Sequence, residues 1–238
     1  MASLQAGADP RALFGPLCLL RVPDPTAGIG LEALAARERA ERPMRLFYEL
    51  GYRHFRMPWE GGPRSELVEL VETGRLAPCR AVDLGCGSGA NAVFLAEHGF
   101  EVTGIDFAAS ALEKAARLAK STGVNVRWVQ DDLTRLTHLE GEFDLLVDYG
   151  ALDDLGDCDR DRYVEQVTPL ARSGGRFLLW CFEWQPRWWE RMLPMAMAMA
   201  PGEVERRFSE AFSMEKIAGV LDWHSFPPGY AAYLMTRR

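Results

Sequence analysis

From Arg80 onward the chain alternates two kinds of segment. Short apolar runs at Arg80–Leu84, Glu101–Asp106, Val124–Gln130, Phe143–Val147 and Arg176–Phe182 have the length and continuity of strands buried on both faces. Helix signals lie between them. Ala90 to His98 is closed by Gly99, and Ser110 with Glu113 forms a capping box that opens a helix running to Lys120. A further helix is expected near Asp161 to Ala171. Upstream, Ser65 is placed to cap a helix with the apolar stripe Leu67, Leu70 and Val71, ended by Gly74. Such alternation predicts a parallel sheet with helices on both faces.

The tail follows a different pattern. Lys216–Trp223 and Tyr230–Thr236 read as strands joined by a short Pro-containing loop. A parallel pair needs a crossover of about a dozen residues or more, so these two must run antiparallel. The expected fold is a doubly wound α/β sheet of seven strands, mostly parallel, with an antiparallel last strand. Residues 1 to about 30 are rich in Ala, Gly and Pro without sustained period and read as a loose arm. From Gly30 to Leu50 a helical segment, broken near Pro43, interleaves Arg37, Arg39, Arg42 and Arg45 with Glu32, Glu38 and Glu41, the pattern of a solvated face. The expected organisation is an N-terminal arm and covering helices over residues 1–57, then a main domain over 58–238 with a lid-like insertion at about 183–213.

Composition narrows the function classes. A chain of 238 residues with 48% hydrophobic content has material for one sizeable core. A formal charge of −7 and a pI near 5.2 disfavour the broad basic face of a nucleic-acid binder. The five cysteines, Cys18, Cys79, Cys86, Cys158 and Cys181, are scattered, with no CxxC pair. Neither a metal site nor a disulfide framework is expected, and a reduced cytoplasmic setting is. No apolar run approaches the ~18 residues that span a bilayer, and Leu17 to Leu20 is too short for a secretory core.

The candidate chemistry sits where the first strand ends: Ala81-Val82-Asp83-Leu84-Gly85-Cys86-Gly87-Ser88-Gly89-Ala90-Asn91. A strand, a glycine turn and a helix start build a nucleotide site in doubly wound sheets. Gly85, Gly87 and Ala90 also satisfy the loose dinucleotide pattern, so the glycines alone do not choose the cofactor. Asp83 at the strand end would repel a pyrophosphate and suits a ligand carrying an ammonium. Asp106 ends the second strand, where it can accept ribose hydroxyls. Asp131-Asp132-Leu133 ends the third, where an acid and a backbone N–H can read an adenine edge.

With these residues, and the wording VDLGCGSGANAVFLAEHGFEVTGIDFAASALEKA, the chain resembles the class I S-adenosylmethionine-dependent methyltransferases, in particular the small-molecule branch around thiopurine and tellurite-resistance methyltransferases. The resemblance implies S-adenosylmethionine as cofactor and S-adenosylhomocysteine as product. It implies that Asp83, Gly85, Cys86 and Gly87 hold the methionine part, Asp106 the ribose, Phe107 the adenine face, and Asp132 with Leu133 the adenine edge. Trp59, in Pro58-Trp59-Glu60, would cover the cofactor, and Asp148-Tyr149 would lie beneath the sulfonium and acceptor. Asp148, Tyr149 and Asp153 are candidates for catalytic work, although a loop carboxylate such as Asp153 is ordinarily solvated. The expected acceptor is a small thiol, phenol or other O, N or S nucleophile, with no nucleic acid, stable membrane association or metal. The NPPY-type sequence of amide and base methylation is absent after strand four. Aromatic and Met residues from Phe182 to Met199 suit a lid over a flat apolar acceptor. Two other readings stay open: a non-catalytic module that binds the cofactor without turnover, and an NAD-dependent oxidoreductase, which Asp83 and the closing hairpin disfavour.

Overall fold

The computed structural model describes residues 44–139, 141–185, 198–224 and 227–238. Strands β1 (Arg80–Leu84), β2 (Glu101–Asp106), β3 (Arg127–Gln130), β4 (Phe143–Tyr149), β5 (Ala171–Phe182), β6 (Phe212–Leu221) and β7 (Gly229–Arg237) form one sheet. Its order is β3-β2-β1-β4-β5-β7-β6. β1 to β5 pair parallel, while β7 runs antiparallel to both β5 and β6, as the short tail connection requires. The described helices are α1 (residues 44–54), α2 (Ser65–Glu72), α3 (Ala90–Glu97), α4 (Ala109–Thr122), α5 (Asp157–Val167) and α6 (Glu203–Phe208).

The continuous apolar runs reflect a sheet covered on both sides. On one face Val82, Leu84, Leu146 and Leu179 pack with Tyr163 and Val167 of α5 and Phe208 of α6. On the other, Ala81, Leu145, Val147 and Leu178 meet Leu67 and Leu70 of α2 and Val93 and Leu95 of α3. Full burial of one such large side chain is worth about 1.5–3 kcal/mol, so each helix is held chiefly by its apolar stripe.

Several local expectations are corrected. Ser110 does not cap α4; the N-cap is Ala108. The Ser110 hydroxyl instead donates to the Glu49 carbonyl at 2.8 Å, and the Glu49 carboxylate accepts the Ser110 N–H at 3.3 Å. A residue of α1 therefore supplies the cap that Glu113 was expected to complete. Ser65 lies inside α2, behind Arg64, whose N–H donates to the Asn91 side chain at 3.0 Å and holds that residue extended. β3 begins at Arg127, because Val124 still closes α4 through its N–H to the Ala119 carbonyl. α5 and β5 both start earlier than their apolar cores suggest, and the helix expected to stop at Leu50 continues to residue 54. Cys158 is disulfide-bonded, against the expectation of no disulfide, and its pairing lies outside the described residues.

Met44–Arg238 forms one compact unit. The arm over residues 1–43 lies outside the described residues, as does 186–197 of the lid-like insertion.

Candidate functional site

The carboxyl edge of the sheet gathers the glycine loop and four acid-bearing strand ends. Gly85, Gly87 and Gly89 have φ of 67°, 52° and 85°, the left-handed region that glycine enters without strain. Gly89 is the N-cap of α3, so the loop brings that helix start to the strand ends. There is no room for side chains. A Cβ on Gly85 would stand 2.6 Å from the Ala151 Cβ, and one on Gly87 2.7 Å from the Tyr52 hydroxyl.

Asp83 is 1% exposed, and its Oδ2 has no hydrogen-bond partner. Burial, then the neighbouring Asp148, pushes its pKa up to about 8, opposed by the Ala92 N–H. An orphaned buried carboxylate oxygen is costly, and a cationic ligand group beside it would remove that cost. Asp106 accepts the Gly87 N–H at 2.9 Å and the Ala108 N–H at 2.8 Å. Burial pushes it up to about 6, against those bonds. Three backbone N–H groups, that of Phe107 included, still leave a carboxylate a lone pair for a ligand hydroxyl.

Asp132 accepts the Thr134 N–H and hydroxyl on Oδ1 and pairs through Oδ2 with Arg45 of α1. Arg45 also lies 5.3 Å from the Phe107 ring centroid. This corrects the reading of Arg45 as part of a solvated face. Asp131 is turned inward; burial raises its pKa, but the N–H groups of His138, Thr137 and Asp132 outweigh that and lower it, so it shapes the loop.

Asp148 and Tyr149 are split by the pleat, since successive strand residues point to opposite faces. Asp148 is fully buried and accepts from the Tyr163 hydroxyl of α5 and the Ala151 N–H; burial pushes its pKa up to about 7. Tyr149 points the other way and donates to Glu66 of α2 at 3.2 Å. Asp153 is 1% exposed, correcting the expectation of a solvated loop acid. Its Oδ2 accepts the Phe182 N–H at 2.6 Å while Oδ1 has no partner, and burial, then Asp154, raises its pKa well above the usual range. Cys86 keeps its proton: burial, then Asp106 and Asp83, raises its pKa, so it is no nucleophilic thiolate.

Aromatic side chains from three segments close over this edge. The Tyr48 ring lies 5.6 Å from both Trp59 and Phe107, and its hydroxyl donates to Asp154. Trp59 Nε1 donates to the Tyr52 hydroxyl at 2.8 Å. The segment bearing Trp59 is tied to α4 by Lys114, whose Nζ lies 2.9 Å from both Glu60 oxygens. Leu133 is half-buried, with its Cδ1 3.9 Å from where a Gly85 Cβ would be. Gly61 and Gly62 face open space. The structure thus brings Trp59, Gly85, Gly87, Asp106, Phe107, Asp132 and Leu133 to one edge with Asp83 beneath. Sequence reasoning missed Arg45, and also Trp180, whose ring stacks on Tyr149 at 5.9 Å and 17°. Alternation within β5 was the available signal for Trp180. Trp184 is buried against Phe182, and the rest of the expected acceptor segment, Pro186 to Met197, lies outside the described residues.

Among the described residues no group of three or more His, Cys, Asp or Glu could hold a metal ion, and no helix is long and apolar enough to cross a membrane.

Known proteins are similar to this chain. A family model described as a methyltransferase domain matches residues 81–175. An uncharacterized methyltransferase of Schizosaccharomyces pombe is 31% identical over 115 residues, 48% of this chain and 79% of that protein. The 2-heptyl-1-hydroxyquinolin-4(1H)-one methyltransferase of Mycobacteroides abscessus is 29% identical over 130 residues, 54% of this chain; the chain spans only 57% of that relative's length. The magnesium protoporphyrin IX methyltransferase of Synechocystis, solved with bound S-adenosylmethionine, shares the fold with a TM-score of 0.66 at 16% identity, over 83% of this chain and 97% of that one.

Proposed function

The chain belongs to the class I S-adenosylmethionine-dependent methyltransferases, and from that premise we propose that it methylates an oxygen, nitrogen or sulfur nucleophile of a small molecule. S-adenosylmethionine is its cofactor. The observation that carries the small-molecule reading is the wall beside Tyr149 at the end of β4: half-buried Trp180 and Phe182 at the end of β5, in a chain of net charge −7. Such a wall suits an apolar planar ligand and offers no broad basic surface to a polyanion. The Mycobacteroides relative, by its name a methyltransferase of a hydroxyquinolinone, supports the same class of acceptor.

The residues fit the cofactor through the orphaned Asp83 oxygen and the glycine cradle that side chains would fill. In this reading Asp83 holds the ammonium, the Gly85-Cys86-Gly87 backbone the methionine part, and Asp106 the ribose hydroxyls. Phe107 and Leu133 flank the adenine, Asp132 takes its edge, and Trp59 covers the pocket with Tyr48 and Tyr52 of α1. Bound there, the cofactor supplies an electrophilic methyl group on a sulfonium. Tyr149 borders the acceptor. Asp148 acts as a positioning residue through Tyr163 and the Ala151 N–H. Asp153, with one free carboxyl oxygen, is the candidate to orient or relieve the acceptor of its proton. Placing two reactants together can by itself lower a barrier by ~7–11 kcal/mol, which is the main task left to the protein.

The test is a turnover screen of the full chain against thiols, phenols and hydroxylated heteroaromatics, read by S-adenosylhomocysteine formation. Acceptor-dependent product with at least one class is expected. Cofactor binding without turnover on any class would favour a non-catalytic module.

A further inference from the structure

Three rings stand in a row across the carboxyl edge of the sheet. Tyr149 ends β4, Trp180 lies opposite it on β5, and Tyr230 follows on β7, diagonal to Trp180. Tyr149 and Trp180 are 5.9 Å apart at 17°, and Trp180 and Tyr230 5.5 Å apart at 21°. Phe182 closes the far side edge-on to Trp180 at 4.9 Å. Cross-strand aromatic pairs stabilise sheets on their own account. A purely structural ladder, however, is expected to sit under a helix like the Leu145–Leu178 layer below it, and all four of these rings remain half-exposed.

The second observation is Arg64. Its guanidinium lies 5.8 Å from the Tyr149 centroid and 5.9 Å from the Trp180 centroid. Its backbone N–H is anchored on Asn91 at the start of α3, which places the residue between the glycine cradle and the ladder. Its side chain is half-buried, and among the described residues it makes no ion pair. Glu66, two residues on, directs Oε2 to the hydroxyls of Tyr149 and Ser65. An arginine stacked on aromatic faces is weakly hydrated and keeps a planar fork of donors that matches a carboxylate or enolate. A half-buried, unpaired cation on an aromatic floor is a receptor for the two features together.

We propose that Arg64 with Tyr149, Trp180 and Tyr230 forms the acceptor platform, selective for a planar aromatic molecule that carries an acidic, negatively charged group. The proposal rests on the small-molecule methyltransferase reading and names its substrate class. The aromatic floor takes the ring, the guanidinium takes the anion, and Tyr149, beside the cradle, sets the end at which the methyl-accepting atom lies. A neutral aromatic forfeits the charge contact and an aliphatic acid forfeits the floor.

Calorimetry on the full chain saturated with S-adenosylhomocysteine tests this, with 1-hydroxy-2-naphthoate as the acidic probe and its methyl ester as the neutral one. The wild-type chain is expected to bind the acid about tenfold or more tighter than the ester, the discrimination of one charged hydrogen-bonded contact. Arg64→Met should abolish that preference, and Arg64→Lys should restore part of it, with S-adenosylhomocysteine affinity and melting temperature unchanged in both. Equal binding of acid and ester by the wild-type chain, binding of neither, or a preference that survives Arg64→Met would overturn the proposal. Failure of S-adenosylhomocysteine itself to bind would instead count against the underlying methyltransferase site.

Discussion

Replacing Asp83 by Asn should move stability and cofactor affinity in opposite directions. The Asp83 carboxyl is buried, lacks a partner on Oδ2, and is pushed from 3.8 up to about 8. Between those values the folded chain without cofactor keeps a proton that the unfolded chain has released. Its stability therefore falls as pH rises through that window and is level on either side. One such proton changes stability by about 1.4 kcal/mol per pH unit, so going from about pH 5 to about pH 7 removes on the order of 3 kcal/mol. Asn has the same shape and no proton to lose. The cofactor-free Asp83→Asn chain should accordingly lose about 3 kcal/mol less than wild type over the same interval, measured by urea unfolding at both pH values. The same substitution should weaken S-adenosylhomocysteine binding by about 1.5–3 kcal/mol, since a charged hydrogen bond to the ligand ammonium is lost. Asp106 and Asp148 shift the same way in both chains, so the difference between variant and wild type isolates Asp83 together with its coupling to these two neighbours. A variant with the wild-type pH slope, or with undiminished ligand affinity, would refute the assignment of Asp83.

Other substitutions probe the rest of the site. Asp106→Ala strands the Gly87 and Ala108 N–H groups as well as the ribose, and calorimetry should show S-adenosylhomocysteine binding weaker by about 1–3 kcal/mol. Gly87→Ala forces a Cβ to within 2.7 Å of the Tyr52 hydroxyl at a φ of 52°; ligand affinity should fall by about tenfold or more, and Tyr52→Phe in the same chain should recover part of it. Away from the site, Glu203→Ala leaves Arg160, whose side chain is only 9% exposed, without its ion pair, while Arg207 keeps Asp157 and Asp161; urea unfolding should register a loss of about 3–5 kcal/mol.

The sheet was legible in the sequence because its strands are buried on both faces and read as unbroken apolar runs, and because the short tail connection leaves only an antiparallel pairing. Element ends were not, since tertiary partners set them: Glu49 takes over the cap expected of Ser110, and Asn91 holds Arg64 out of α2. At the site, Asp83, Asp106 and Asp132 were readable because each ends a strand and the strands share one edge. Arg45 was read as solvated because its partner, Asp132, is far away in sequence. The division of Asp148 from Tyr149 follows from pleating, yet it has consequences only once α5 and α2 lie on opposite faces. Asp153 stands in a loop whose burial no local pattern encodes, and Trp180 looked like one more core residue until its row of half-exposed neighbours was in place.

The central claim is that the Asp83 and glycine-loop edge is an S-adenosylmethionine site in a working methyltransferase. Titration of the full chain with S-adenosylhomocysteine in a calorimeter tests it most directly. One-to-one binding in the micromolar range, abolished or strongly weakened in Asp83→Asn, is the predicted result; no heat of binding at high micromolar ligand would contradict it.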